Sequence, residues 1–92
     1  MNKDKKLREL CKDYLDILQM INSLKEIEPG LLIHSWECQR IDIHEEICNI
    51  LNIDHSNCIN ITDNLPIQMV EEGGTDKNVN ILLQMLLRER NK

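Results

Sequence analysis

The sequence contains no phenylalanine and no alanine, and Tyr14 and Trp36 are its only aromatic side chains of the Phe/Tyr/Trp kind. Any core must therefore be largely aliphatic. Isoleucine and asparagine are abundant instead, which suggests an AT-rich genome, and a phage or mobile-element origin is compatible with that. No run of 18 apolar residues occurs, which excludes a helix spanning a bilayer. The opening Met1-Asn2-Lys3-Asp4-Lys5-Lys6 leads into no apolar stretch, so a secretory signal peptide is not expected. The four cysteines, Cys11, Cys38, Cys48 and Cys58, form no C-x-x-C pair. Without a secretion signal they read as reduced thiols of a cytoplasmic protein. Ser–His–Asp sets, Gly-rich phosphate loops and paired-carboxylate metal motifs are missing too, so the expectation is a protein without enzymatic activity.

What is present is enough for one domain over 1–92. A chain of this size buries only roughly 60–65% of its unfolded surface, so its stability as a monomer should be a few kcal/mol at most. The net charge of −5 is unevenly spread. Lys3, Lys5, Lys6 and Arg8 make one end basic, and Arg88, Arg90 and Lys92 the other, which leaves a middle of about −10. That acidic middle argues against nucleic acid as a partner of the domain body. The plain reading of the layout is solubility, and the sharper one is that the basic ends meet an anion or an acidic partner.

Apolar periodicity predicts an all-α fold. Leu7, Leu10, Cys11, Tyr14, Ile17, Leu18, Ile21 and Leu24 follow steps of 3 and 1, a heptad-like stripe that predicts a helix over 4–28, ended by Pro29-Gly30. Leu32, Trp36, Arg40, Ile43, Ile47, Ile50 and Leu51 step by 4, 3 and 1 and predict a second helix over 31–53. A later start with Ser35 as N-cap is the alternative. Asp54, Asn57, Asn60, Thr62, Asp63 and Asn64 read as turn formers. A short helix over 65–72 then ends at Gly73-Gly74, and Thr75 caps a last helix over 76–90 whose Asp76 and Arg88/Arg90 suit the helix dipole. The expected architecture is a long antiparallel helical hairpin plus a short helix and a C-terminal helix, a small helical bundle.

Two constellations stand out. Each histidine shortly precedes a cysteine, in His34-x-x-x-Cys38, His44-x-x-x-Cys48 and His55-x-x-Cys58. Residues i and i+4 share a helix face, so His44, Cys48, His55 and Cys58 form a candidate tetrahedral zinc set. Their order matches no named zinc signature and cysteine is a common core residue. The expectation is therefore no cofactor, with buried cysteines and surface histidines, and zinc as the alternative. The second constellation is Trp36, Arg40 and His44, one helical turn apart, a candidate ligand-binding site for an anionic or nucleotide-like molecule. The competing reading has Arg40 reaching the rim or pairing with Asp13 or Asp16 of the first helix.

From this the expected function is a small regulatory or inhibitory module that docks another protein. A homodimer is expected as well, because a two-helix hairpin exposes more apolar surface than one seam covers. The alternative is an oligomeric binder of a small anionic ligand through Trp36, Arg40 and His44.

Overall fold

A computed structural model describes residues 3–24 and 31–90. The first apolar stripe forms α1, Lys3–Leu24, and buries Leu7, Leu10, Cys11, Tyr14, Ile17 and Ile21. Leu15, one turn beyond Cys11, is fully buried as well and widens the stripe. Residues 25–28 of the expected first helix, and the Pro29-Gly30 stop, lie outside the described residues. The second helix, α2, runs Leu31–Leu51 and packs antiparallel on α1. It starts at Leu31, not at Ser35, and ends two residues short of the expected 53. The stop is local: Asn52 takes a left-handed φ of 56°, a conformation that Asn tolerates better than other residues with a Cβ.

The expected turn region 54–64 is instead a helix, α3, His55–Asp63. Polar side chains bond back to the helix's own carbonyls, Thr62 Oγ1 donating to that of Cys58 at 3.1 Å and Nδ2 of the C-cap Asn64 to that of Asn60 at 2.6 Å. Cys58 and Thr62, one turn apart, face inward with Ile61 half-buried beside them. Tertiary burial of that face outweighs the turn preference of Asn, Asp and Thr, a difference of only tenths of a kcal/mol per residue.

The next helix, α4, is Ile67–Glu72, two residues shorter than the expected 65–72. Pro66 stands at the N-cap with extended backbone, and its carbonyl accepts from Met69 N at 3.0 Å. The last helix, α5, is Asp76–Arg90 with Asp76 in its first turn and Arg88 and Arg90 in its last. Thr75 caps it as expected, its Oγ1 accepting from Asn78 N at 3.2 Å.

The corner between α4 and α5 is set against α1. Gly73 has φ +78°, and Gly74 N donates to Asp16 Oδ1 at 2.8 Å. A Cβ on Gly74 would lie 2.7 Å from the Lys12 carbonyl oxygen, so only glycine allows this approach. Gln19 Nε2 donates to the Glu71 carbonyl at 2.8 Å beside it. Behind the corner Asn78, 1% exposed, donates to Glu72 and to the Gly73 carbonyl.

Among the described residues the result is an all-helical five-helix bundle of about 39 × 25 × 23 Å in which α1 is central, packed by α2, α4 and α5. Residues 65–90 fold back over the hairpin and cover the stripe of α1 with Leu65, Met69, Val79, Leu82 and Leu86. The seam of the hairpin thus finds its cover within one chain. No described helix is long and apolar enough to cross a membrane.

Candidate functional site

The C-terminal half of α2 meets α3 at a buried His/Cys cluster. His44 and Cys48 lie one turn apart on the inner face of α2, and His44 Nδ1 is 3.9 Å from Cys48 Sγ. The short Asn52–Asp54 turn reverses the chain so that α3 brings Cys58 to the same place. One ligand atom from each of His44, Cys48 and Cys58 lies within 4.8 Å of the others, and all three residues are buried. His55, at the first turn of α3, sets its ring 5.3 Å from that of His44, centroid to centroid.

Electrostatics here follow from dryness. Burial pushes the Cys48 thiol up, and pushes Cys58 up further, with the neighbouring Cys48 and Cys11 adding to it. Burial holds the His44 imidazole below its usual range, and His55 and Arg40 act in the same direction, while Asp63 and Glu45 oppose them. His44 is 5% exposed. Among the described residues, His44 Nε2 is the one buried side-chain N or O atom with no hydrogen-bond partner. Leaving such an atom unpaired costs about 1–3 kcal/mol.

The sequence-based expectation of surface histidines is thus overturned at His44, because the α2 stripe turns His44 rather than Ile43 most directly into the core. His55 is exposed, as expected. His34 and Cys38 repeat the His44–Cys48 spacing, with Sγ 3.7 Å from Nε2, but on the exposed part of α2.

Beside the cluster a groove of about 340 Å³ opens between α2 and α3, lined by Arg40, Ile41, His44, His55, Ile59 and Asp63. Of the expected anion-binding trio it holds Arg40 and His44, whereas Trp36 is half-buried and not part of its lining. The guanidinium of Arg40 is already engaged. Its Nε donates to Glu37 Oε1 at 2.7 Å and its Nη1 to the Tyr14 hydroxyl at 3.1 Å. The partners foreseen in α1, Asp13 and Asp16, are not the ones found: Asp16 instead accepts from Lys12 and Gly74. Ile59 and Asp63 escaped the sequence reading because their i, i+4 spacing lies inside a segment rich in turn formers.

The fold and this geometry define the class: an all-α bundle with a buried His/Cys cluster under an open groove. Comparison with known proteins adds no relative, since no protein-family model, no curated protein and no solved structure matches the chain.

Proposed function

We propose that this protein is a non-enzymatic interaction module that docks another protein on its α2–α3 face. The observation that carries the reading is the pair Ile41 and Ile59, 49% and 43% exposed, which come from different helices and flank one groove. Apolar side chains converging on a concave surface supply the kind of desolvated anchor site on which interfaces concentrate their energy. The surroundings are acidic: Asp42 and Glu45 are exposed on α2, Asp63 lines the groove, and the charge of Arg40 is offset by Glu37. The chemistry favours a partner segment with an apolar anchor and basic flanks. Regulation or inhibition then follows from occupancy of the partner's surface, with no bond made or broken.

The test places a photoreactive side chain at position 41 and, as a control, at the exposed Met20 of α1. The protein crosslinked from position 41 in the native host is then purified and titrated. Ile41→Asp and Ile59→Asp should each weaken its binding about tenfold or more, the size of a modest anchor residue, while Met20→Asp leaves it unchanged. Binding that neither groove substitution affects rejects the docking face. A second copy of the chain is one partner this experiment recovers, as a crosslinked dimer whose mass is read by light scattering.

A further inference from the structure

We propose that His44, Cys48 and Cys58, completed by His55, form a binding site for a thiophilic divalent cation of the zinc class. The site is independent of the docking face, although both open on the same groove. Three observations carry it. First, the ligand atoms of the three buried residues lie within 4.8 Å of one another. In a tetrahedral zinc site, metal–ligand bonds of 2.0–2.3 Å place neighbouring donor atoms roughly 3.3–3.8 Å apart, so closure asks for side-chain shifts on the order of 1 Å. Second, the His44 imidazole is almost fully buried with Nε2 unpartnered and Nδ1 beside a thiol. A ring committed to ligation gives this burial a purpose that packing alone does not. Third, His55 stands at the mouth with its ring 5.3 Å from that of His44, three residues before Cys58 on the same helix. It is exposed, so a rotamer change is open to it, and the groove offers the ion a route in from solvent.

Charge selects the ion. Two thiolates and two neutral imidazoles around a divalent cation make a neutral centre. That matters in a buried site, where uncompensated charge is costly. The N₂S₂ donor set suits zinc and its analogues rather than calcium or magnesium, which take oxygen ligands. Binding replaces the two thiol S–H bonds by metal–sulfur bonds and releases two protons to solvent, so affinity rises with pH. The ion would join α2 to α3 across the turn at Asn52–Asp54. The His34–Cys38 pair supplies an internal control, having the same i, i+4 spacing on an exposed stretch of α2 and no part in the cluster.

The experiment uses the full chain, reduced and stripped of metal, titrated with Co²⁺ as spectroscopic probe and with Zn²⁺ in competition. The expected result is one ion per chain, with the visible bands of tetrahedral cobalt and thiolate-to-cobalt charge transfer, and about two protons released per ion by calorimetry in buffers of different ionisation enthalpy. Cys48→Ser and Cys58→Ser should each lower affinity by more than the roughly 10–100-fold typical of outer-shell changes. Circular dichroism before titration establishes that each variant is folded. His55→Ala, a surface change that leaves the core intact, should weaken binding about tenfold or more and alter the cobalt spectrum. His34→Ala/Cys38→Ser should change nothing. Folded wild-type protein that takes up no cobalt or zinc at micromolar concentration overturns the proposal. So does binding abolished by the His34/Cys38 change, or an unaltered spectrum and affinity in His55→Ala.

Discussion

Arg40 Nη1 donates a hydrogen bond to the hydroxyl of Tyr14, at 3.1 Å, and so joins the centre of α1 to the centre of α2 through the one tyrosine of the chain. Tyr14 is 1% exposed, and its ring also lies 6.3 Å from that of His44. The contact fixes the guanidinium at the inner end of the groove. Tyr14→Phe keeps the ring and removes the acceptor. It should destabilise the protein by about 1–2 kcal/mol, towards the lower end for a bond to a charged group because Arg40 retains some solvent contact. Denaturant unfolding checks this, with a lower midpoint and an unchanged slope expected.

The Gly73–Gly74 pair at the α4–α5 corner should be sensitive to substitution. Gly73 has φ 78° and ψ −151°, backbone that is essentially reserved for glycine. Gly73→Ala should therefore cost about 1–3 kcal/mol. Gly74→Ala acts differently, by pressing a methyl group against the Lys12 carbonyl and Asp16 Oδ1. The corner must lift from α1 and lose the Gly74–Asp16 bond, at a cost of about 1–3 kcal/mol as for other overpacked sites. Thermal unfolding of both variants tests these values, and native-like stability in either would contradict the close approach.

Stability should fall on acidification through His44. Its folded-state pKa is lowered by burial, then by His55 and Arg40, with Asp63 and Glu45 opposing. The unfolded chain therefore takes up this proton first, near pH 6.5, and unfolding is favoured as pH drops from there towards the lowered value. Above pH 6.5 the ring is neutral in both states and the effect vanishes. Metal-free protein should show a lower unfolding free energy at pH 5.5 than at 7.5, and His44→Leu should shrink that difference. An equal pH dependence in the variant would mean that other groups carry it.

Thiol labelling should divide the cysteines sharply. Cys38 is exposed, whereas Cys11, Cys48 and Cys58 are buried. Burial pushes the Cys11 thiol up to about 12 and raises Cys48 and Cys58 as well. Since the thiolate is the reacting form, brief alkylation of folded, metal-free protein at pH 7.5 should modify Cys38 alone. All four should react in denaturant, as peptide mass spectrometry would reveal. Rapid labelling of Cys58 in the folded state would contradict the packing of α3 on the core.

The helices of the hairpin and α5 were legible in the sequence because each carries a long apolar stripe. Repeated steps of 3 and 4 along α1 and α2, and the shorter run Val79, Leu82, Leu83 and Leu86 in α5, leave little choice of secondary structure. Thr75 as cap and the charges at the ends of α5 were legible for the same reason, since capping and dipole effects act within a turn. The i, i+4 pairing of His44 with Cys48 also follows from helix geometry alone. Tertiary structure decided the rest. Nine residues of α3 rich in Asn, Asp, Ser and Thr have no strong local preference, and they are helical because Cys58 and Thr62 find a core to enter. Only that docking brings Cys58 against His44 and Cys48, buries a histidine that local spacing left on the surface, and opens the groove between Ile41 and Ile59. The packing of α2 on α1 gives Arg40 its partner Tyr14, while Glu37 lies one turn away on α2 itself. Helical period is written along the chain, whereas the meeting of two helices depends on which faces bury the most apolar area together, a property of the whole assembly.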